Sequence, residues 1–256
     1  MSARHVVVTG AGTGIGRSIA LRFAREGATL SLLARGAGRG LEPPSVARAA
    51  GAARAHAFRC DIRRRADVEA AFEALASVHG PISVLVANSG IGGPNGPGRE
   101  DRFEDLVATN LTGTYHCLRA AQARLAAPPA GRHLIVIASI LARIGVPGYS
   151  GYCASKAGLL GLVRALAAEL APQDVAVNAV CPGWVETDMA REGLQGMAAG
   201  MGITLAQARA KAMEAVPLGR MSAPDDVAGL VAWLASPDAR GVTGQGLDIN
   251  GGAWMG

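Results

Sequence analysis

Short apolar runs and longer amphipathic stretches alternate along the whole chain, and this alternation constrains its fold more than any other feature. The apolar runs, each bounded by turn residues, are residues 5–9, 29–34, 55–58, 82–87, 133–139, 175–180 and 246–250. Helical periodicity marks the stretches between them, at 17–25, 66–78, 105–125 and 152–170. Continuous apolar strands joined by amphipathic helices imply parallel strands that are covered on both faces. The sequence therefore predicts an α/β protein with a doubly wound parallel sheet of about seven strands and helices on both faces.

The length of 256 residues fits one domain with a single large core. Half of the residues are hydrophobic but only 4% are aromatic, so Val, Leu, Ile and Ala must build most of the interior. We predict a single domain over residues 1–256. One segment, at about 187–216, breaks the strand rhythm with Gly and Met residues around a predicted helix at 205–215. We expect this insertion to cover the substrate, and a plain surface excursion is the alternative.

The net charge of +5 does not come from a concentrated basic patch. The only tight basic run, Arg63 to Arg65, begins a predicted helix without aromatic neighbours, so we expect no nucleic-acid partner. No apolar run approaches the roughly 20 residues that cross a bilayer, so we expect no membrane association. The four cysteines and five histidines lack the spacing of a zinc or redox motif. These patterns predict a cytoplasmic protein without a metal.

A glycine-rich turn, TGAGTGIG at residues 9–16, follows the first predicted strand and begins the first helix. A pyrophosphate needs bare backbone amides and the positive end of a helix, and glycine permits that close approach. The turn therefore predicts a dinucleotide site. Its residues are Gly10, Gly12, Thr13, Gly14, Ile15 and Gly16.

The residues after the second predicted strand bear on the choice of dinucleotide. A carboxylate there would bind a ribose 2′-hydroxyl, whereas a guanidinium suits a 2′-phosphate. This chain has Ala34-Arg35-Gly36, which favours NADP(H) over NAD(H). The alternative is that Arg35 is an ordinary solvated arginine.

A second motif, YCASK at residues 152–156, begins a predicted helix. Residues four apart share a helix face, so the Tyr152 phenol and the Lys156 ammonium can point into one pocket. We expect the ammonium to lower the pKa of the phenol, which would let Tyr152 exchange a proton near neutral pH. The chain contains only two lysines, which makes a chance Y-x-x-x-K match less frequent.

Two further polar residues lie where ligands gather in a doubly wound sheet. Ser139 closes a predicted strand, where its hydroxyl can bind a substrate oxygen, although a serine there is also an ordinary turn residue. Asn110 lies in a helical stretch for which asparagine has poor propensity, which suggests a task for its amide. The alternative is an amide tied to nearby backbone.

Together these residues resemble the short-chain dehydrogenase/reductase family over nearly the whole chain. In chain order the match runs through TGAGTGIG, Asp61, ANSG at 87–90, Asn110, Ser139, YCASK, CPG at 181–183, Thr187 and GQGLDINGG. The resemblance implies a single-domain Rossmann fold with Ser139, Tyr152 and Lys156 as the catalytic set. It also implies that Asn110 holds a water that continues a proton relay from Lys156.

The resemblance further implies where the cofactor lies. Asp61 would approach the adenine, residues 88–90 would line the cofactor, and residues 182–187 would meet its nicotinamide end. Ser89 stands where the family commonly has alanine, and we expect it to be tolerated because serine is small. Beyond the glycine turn, the expected cofactor contacts are Arg35, Asp61, Ile62, Asn88, Ser89, Gly90, Tyr152, Lys156, Pro182, Gly183, Val185 and Thr187.

Within the family, the Ala-Arg-Gly turn, the CPGWVETDMA segment and the stretch that ends in AVPLGR resemble bacterial ketoreductases, including those that act on polyketide or 3-oxoacyl chains. At Trp184 the chain is similar to 3-hydroxybutyrate dehydrogenases, but Ala142 stands where that group has a histidine, so we rank that function lower. We expect a bulky or elongated apolar carbonyl or alcohol substrate, because Met and Leu adapt to variable shapes. Its pocket would be lined by Ile140, Leu141, Tyr149, Trp184 and Met189.

Three points complete these expectations. The resemblance implies a homotetramer. An NAD(H)-dependent secondary-alcohol or 3-hydroxyacid dehydrogenase of the same family is one alternative function. A non-catalytic NADP(H)-binding sensor is another, although it would need no proton relay.

Overall fold

The computed structural model of the protein describes residues 4–36, 44–98, 101–128 and 131–256. In these residues, seven strands form one sheet in which every neighbouring pair is parallel. The strands are β1 (His5–Thr9), β2 (Thr29–Ala34), β3 (Arg54–Arg59), β4 (Val84–Ala87), β5 (His133–Ile137), β6 (Ala176–Pro182) and β7 (Gly246–Ile249). Their order across the sheet is β3-β2-β1-β4-β5-β6-β7.

Helices connect the strands and cover the sheet. They are α1 (Gly14–Arg25), α2 (Pro44–Ala49), α3 (Arg65–His79), α4 (Phe103–Val107), α5 (Gly113–Gln122), α6 (Ser150–Leu170), α7 (Asp188–Met201), α8 (Leu205–Glu214) and α9 (Pro224–Leu234). A π-helical turn, Ala108–Thr112, joins α4 to α5. Short 3-10 turns lie at Ile140–Ala142, Ala171–Gln173 and Pro237–Ala239.

Alternate side chains of the strands face opposite sides of the sheet and build two cores. On one side Val7 packs with helices α3, α5 and α6, through residues such as Phe72 and Leu159. On the other side Val6 and Val8 pack with helices that include α1 and α9. Because both faces are covered, β1, β2, β4 and β5 are buried along their whole length. The predicted doubly wound parallel sheet is confirmed.

The order of the strands reverses direction at β1, which has β2 on one side and β4 on the other. At such a switch point the connections after the two strands leave in opposite directions and open a crevice at their carboxyl ends. The turns after β1, β4, β5 and β6 meet at this edge, so the residues that follow these strands form the candidate site.

The segment around residues 187–216 is more regular than its composition suggests. The structure places a second helix, α7, before the predicted one, which appears as α8. Thr187 caps α7 by accepting a hydrogen bond from the Ala190 N–H at 3.3 Å, and Gly202 ends the helix with a φ of +65°. Glycines inside α7 hide its periodicity from sequence reasoning, but Leu194 is buried beside Ala212 of α8.

Within the described parts of the chain, none of the helices is both long and apolar enough to cross a membrane.

Candidate active site

Tyr152 and Lys156 lie one turn apart at the start of α6, as the motif predicted. The Lys156 Nζ lies 5.7 Å from the centroid of the Tyr152 ring. Lys156 is only 5% exposed, and its ammonium donates a hydrogen bond to the Ile137 carbonyl at 2.9 Å. The helix therefore holds a buried cation against the end of β5, with the phenol beside it.

Burial disfavours the charged form of both side chains and shifts the pKa of each accordingly. Desolvation lowers the pKa of Lys156 to about 8. Desolvation also raises the pKa of Tyr152, and a hydrogen bond with the Ser139 side chain opposes this shift only in part. The predicted lowering of the Tyr152 pKa is therefore wrong in this structure, because desolvation outweighs the hydrogen bond with Ser139.

Ser139 stands opposite the phenol, directly after β5. Its Oγ accepts a hydrogen bond from the Leu141 N–H at 3.1 Å, which caps the 3-10 turn Ile140–Ala142. The residue is 8% exposed, so its hydroxyl is fixed by this cap and by the Tyr152 contact. Two hydroxyl groups from different elements therefore converge on one spot.

Asn110 occupies the π-helical turn between α4 and α5 and is fully buried. Its Oδ1 accepts from the Ile91 N–H at 2.9 Å, and its Nδ2 donates to the Ile91 carbonyl at 3.0 Å and to the Ser155 Oγ at 3.1 Å. A π turn is wider than an α turn and is frequent at functional sites. The amide ties the loop after β4 to α6, and its predicted water contact stays a prediction.

The glycine turn after β1 leaves backbone amides available. Gly10 and Gly14 have φ values of +65° and +51°, which side chains rarely adopt. A Cβ on Gly16 would lie 2.1 Å from the Gly10 carbonyl oxygen, so only glycine fits where α1 packs against the turn. Thr13 precedes α1 without a side-chain cap, and the first turn of α1 has no acidic residue. The positive end of this helix is therefore open to an anion.

The residues after β4 join the glycine turn to α6. The Asn88 Nδ2 donates to the Thr9 and Gly10 carbonyls at 3.0 and 3.2 Å, and the Ser89 N–H donates to the Thr9 Oγ1 at 3.0 Å. A Cβ on Gly90 would lie 3.1 Å from the Asn110 Oδ1 and 3.6 Å from the Lys156 Nζ. Residues 88–90 thus connect the glycine turn to the part of the candidate site that contains Asn110 and Lys156.

The candidate adenine end lies beside β2 and β3. Arg35 is exposed directly after β2, and a hydrogen bond from Arg63 holds the pKa of the Asp61 carboxyl below its usual range. The Arg63 Nη2 lies 2.6 Å from the Asp61 Oδ2. The positive charge of Arg35 also lowers the pKa of this carboxyl. Ile62 is 5% exposed and lies against Gly113 of α5.

The residues predicted to meet the nicotinamide follow β6. Gly183 donates to the Ile249 carbonyl at 3.1 Å, and a Cβ on it would lie 2.9 Å from the Asn250 Cα, so glycine is required. Val185 is buried and pairs with Ser222 in an isolated bridge. A Cβ on Gly14 would lie 3.0 Å from the Thr187 Cγ2. The start of α7 therefore lies against the glycine turn, and Pro182 ends β6 beside it.

The predicted pocket residues divide into two groups. Met189 is 46% exposed, and its Sδ would lie 2.9 Å from a Cβ on Gly92, so it faces the loop after β4. Ile140, Leu141 and Tyr149 lie between Ser139 and Tyr152 in the chain. Trp184 instead packs in a small cluster with Leu194, Ala212 and Met221. That tryptophan anchors the helices α7 and α8 to the rest of the protein.

Sequence reasoning missed two residues that shape the site. Ser155 is fully buried, and its hydroxyl links Asn110 to the Tyr152 carbonyl, to which it donates at 2.8 Å. Its place inside the YCASK motif could have drawn attention to it. Asn95 contacts the first turn of α6, and no sequence signal distinguishes it from other loop asparagines.

These features fit a nicotinamide dinucleotide. The glycine turn offers amides to a pyrophosphate, and the buried Lys156 offers a cation at the far end of the same crevice. A phenol, a hydroxyl and an ammonium lie together at the carboxyl edge of a doubly wound sheet, where a Rossmann-like protein holds a dinucleotide.

Comparisons with known proteins agree with this class. The family model described as "Enoyl-(Acyl carrier protein) reductase" matches residues 10–253. The chain is 33% identical to 3-oxoacyl-[acyl-carrier-protein] reductase FabG of Staphylococcus aureus strain N315, over 98% of each chain. It is also 33% identical to 3-oxoacyl-[acyl-carrier-protein] reductase MabA of Mycobacterium tuberculosis strain H37Rv, over 99% of this chain and 94% of the relative.

Solved structures give the same result. An actinorhodin polyketide ketoreductase variant with NADPH matches with a TM-score of 0.88 and 34% identity, over 98% of this chain and 97% of that one. The ligand-free aldohexose dehydrogenase of Thermoplasma acidophilum matches with a TM-score of 0.84 and 29% identity, over 98% and 94% of the two chains. The chain therefore belongs to the short-chain dehydrogenase/reductase family. It is an oxidoreductase that acts on CH–OH or C=O groups.

Proposed function

We propose that this protein is an NADP(H)-dependent ketoreductase that interconverts a ketone and a secondary alcohol. The observation that carries the proposal is the convergence of Ser139, Tyr152 and Lys156 at one end of the crevice whose other end is the glycine turn. The relatives named 3-oxoacyl-[acyl-carrier-protein] reductase, and the polyketide ketoreductase structure, support an acyl-chain or polyketide-like substrate.

In the reductive direction, a reduced nicotinamide held in this crevice would supply a hydride to the carbonyl carbon. The Ser139 hydroxyl orients the carbonyl oxygen by donating a hydrogen bond to it. The Tyr152 hydroxyl gives its proton to the same oxygen as negative charge develops there, which leaves a phenolate. In the oxidative direction the phenolate takes that proton back from the alcohol.

Lys156 stabilises the phenolate in this scheme. Its pKa of about 8 keeps it mostly protonated at neutral pH, so a positive charge lies beside the ring when the phenol ionises. The Nζ has two further donor hydrogens besides the one on the Ile137 carbonyl, and we assign them to a ribose of the cofactor. Asn110 and Ser155 hold the helix and the loop after β4 in register around this cation.

The test of this mechanism is Tyr152→Phe, which removes one hydroxyl and keeps the ring. We expect kcat for reduction of 3-oxoacyl thioesters and bulky ketones to fall at least about a hundredfold, because general acid catalysis contributes that much or more. NADPH binding, followed by the fluorescence of the reduced nicotinamide, should change little. Turnover at the wild-type rate across several ketones would overturn the assignment.

Arg35 and the residues around it support NADP(H) as the cofactor. The exposed guanidinium follows β2, and no carboxylate follows that strand in the position suited to a 2′-hydroxyl. An NAD(H)-dependent secondary-alcohol or 3-hydroxyacid dehydrogenase is the alternative, and the ratio of kcat/KM for NADPH and NADH distinguishes the two.

The shape of the insertion supports an apolar, bulky or elongated substrate. Helices α7 and α8 expose Met189, Met201 and Leu205 by 46%, 46% and 43%. Met and Leu side chains adapt to variable apolar shapes, so residues 187–216 would cover the substrate of a single-domain enzyme. A kinetic preference for small polar ketones over 3-oxoacyl thioesters and bicyclic ketones would contradict this assignment.

We further propose a cytoplasmic homotetramer without a nucleic-acid partner. Light scattering in solution measures the mass of the assembly, and a gel-shift series over salt concentration tests duplex binding. A non-catalytic NADP(H)-binding sensor is the remaining alternative. Cofactor binding without oxidation in a broad substrate screen would favour that function, whereas the assembled Ser139, Tyr152 and Lys156 set argues against it.

A further inference from the structure

The loop after β4 contains an asparagine that contacts the start of the catalytic helix. The Asn95 backbone N–H donates to the Gly148 carbonyl at 2.8 Å, and its Oδ1 accepts from the Gly151 N–H at 2.8 Å. Gly151 lies immediately before Tyr152 in the chain, and Gly148 lies four residues before it. Asn95 therefore binds the short segment that delivers the phenol to the site.

This contact supplies what the helix itself lacks. The first N–H groups of an α-helix have no intrahelical partner, and a side chain at the N-cap normally accepts from one of them. The N-cap of α6 is Tyr149, which makes no side-chain capping hydrogen bond. The Oδ1 of Asn95, more than fifty residues earlier in the chain, accepts from the Gly151 N–H instead.

The Asn95 Nδ2 connects the same point to α4. It donates to the Asp101 Oδ1 at 3.2 Å and to the Ser150 Oγ at 3.1 Å. The Asp101 Oδ1 in turn accepts from the Phe103 N–H, at the start of α4, at 2.9 Å. One side chain thus joins the starts of α4 and α6.

The junction is also tightly packed. A Cβ on Gly151 would lie 3.1 Å from the Phe103 Cα and 3.2 Å from the Asn95 Oδ1. Because there is little free space at this point, a displacement of the Asn95 loop must displace the first turn of α6, and Tyr152 with it.

We propose that Asn95 is a positioning residue that sets the place of the Tyr152 hydroxyl relative to Ser139. The inference rests on the proposed function, because it concerns the proton donor of that reaction. Asn95 acts through the α6 backbone and needs no contact with substrate or cofactor.

The experiment compares the full-length wild type with Asn95→Ala, using NADPH with acetoacetyl-CoA and with a bicyclic ketone such as trans-1-decalone. We expect kcat to fall about 10- to 100-fold in Asn95→Ala, since a displacement of about 1 Å can cost a hundredfold in rate. The KM for NADPH should stay within about twofold, because the glycine turn does not contact Asn95. An unchanged kcat would overturn the proposal.

An exchange of side chains provides the rescue. The double variant Asn95→Asp/Asp101→Asn keeps an acceptor for the Gly151 N–H and keeps one amide and one carboxylate between positions 95 and 101. We expect it to recover most of the lost kcat. A double variant as slow as Asn95→Ala would contradict the proposal.

Asn178→Ala is the matched control for a general loss of stability. The Asn178 amide also bridges two segments, through the Val242 carbonyl at 2.8 Å and the Gln245 N–H at 3.0 Å, and its strand β6 is distinct from α6. This variant should lower Tm while kcat, measured well below Tm, stays near the wild-type value. If it loses kcat as Asn95→Ala does, the effect at Asn95 is merely structural and the proposal is wrong.

A spectroscopic titration separates this proposal from the proposed function. The phenolate absorbance of Tyr152, obtained by subtraction of the Tyr152→Phe curve, reports the Tyr152 pKa without any substrate. We expect Asn95→Ala to raise that pKa, because the hydrogen bond with Ser139 that lowers it becomes weaker. A Tyr152 pKa that is the same in Asn95→Ala as in the wild type would contradict the proposed role of Asn95 alone. A fully active Tyr152→Phe variant would contradict the proposed function alone.

Discussion

The burial of Lys156 destabilises the folded protein. The ammonium is 5% exposed, and desolvation lowers its pKa from 10.5 to about 8. Between these pH values the unfolded chain binds more protons than the folded chain, so stability rises with pH in that window. Below about pH 8 the free-energy cost of burying the ammonium is present in full.

Lys156→Met should therefore stabilise the cofactor-free protein while it abolishes turnover. At neutral pH we expect the free energy of unfolding to rise by about 1–3 kcal/mol, reduced somewhat by the unpaired Ile137 carbonyl. Urea unfolding at a fixed protein concentration measures the difference. The difference in the free energy of unfolding between variant and wild type should become smaller at about pH 10. A difference that does not depend on pH would contradict this account.

Two glycines of the chain should respond to alanine in opposite ways. A Cβ on Gly16 would lie 2.1 Å from the Gly10 carbonyl oxygen and 2.4 Å from the Asn88 Nδ2, so Gly16→Ala must displace α1 from the glycine turn. We expect it to destabilise the protein by about 2 kcal/mol or more and to weaken NADPH binding, as followed by Tm and by fluorescence titration.

Gly161→Ala is the matched control for that change. Gly161 lies inside α6, and a Cβ added to it would meet no heavy atom of another element within 4 Å, so alanine meets open space. Alanine there should stabilise the protein by about 0.5–1 kcal/mol because it restricts the unfolded chain. Equal effects at Gly16 and Gly161 would show that backbone entropy, and not close packing, governs both positions.

Arg35 should set the preference between the two dinucleotides. A charge-assisted hydrogen bond contributes about 1.5–3 kcal/mol, so Arg35→Ala should raise the KM for NADPH about 10- to 100-fold and change the KM for NADH little. Arg25→Ala, in the last turn of α1, is a matched control because it removes an arginine far from the glycine turn. Equal losses with both cofactors would exclude a 2′-phosphate contact.

At the scale of elements, the helices α7 and α8 form a unit with its own small core. Trp184, Met197 and Met213 pack around Leu194, Ala212 and Met221, apart from the two large cores of the sheet. A capping box at Thr204 and Gln207 fixes the start of α8. Few apolar contacts join this unit to the sheet, which is typical of segments with low local stability.

Trp184→Ala should loosen α7 and α8 without unfolding the sheet. We expect limited proteolysis to cut within residues 187–216 several times faster, while the main thermal transition moves by only a few degrees, since the tryptophan packs in the small core and not in the two cores of the sheet. A variant that loses the main transition, or one that resists cleavage as the wild type does, would show that these helices do not open as a separate unit.

At the scale of the whole molecule, a histidine cluster at the amino edge of the sheet makes stability depend on pH. The rings of His56 and His5 lie 4.8 and 5.2 Å from the ring of His79, and Arg54 and Phe58 also face it. Desolvation, helped by the neighbouring His5, His56 and Arg54, lowers the pKa of His79 to about 4. Burial lowers the pKa of His5 as well.

These shifts predict destabilisation in mild acid. Between about pH 6.5 and pH 4 the unfolded chain binds more protons than the folded chain, so stability falls as the pH falls through that window. Tm measured across this range should decrease, and His79→Gln should flatten the slope. Parallel curves for wild type and variant would assign the acid sensitivity to other groups.

The sequence by itself determined the sheet, the glycine turn and the helix that carries Tyr152 and Lys156. The apolar runs of β1, β2, β4 and β5 correspond to strands because a strand buried on both faces must be apolar throughout, and the Tyr152–Lys156 pair is fixed by helical spacing alone. These features depend on residues close together in the chain, which is why local patterns predict them.

Only the tertiary structure decided how these parts meet. The pKa of Tyr152 is raised and not lowered, because burial depends on what packs around the ring. The contacts of Asn110 with Ser155, of Trp184 with the small cluster that contains Ala212 and Met221, and of Asn95 with Gly151 join residues far apart in the chain. No local pattern encodes such contacts, since they arise when the turns after separate strands are brought to one edge of a parallel sheet.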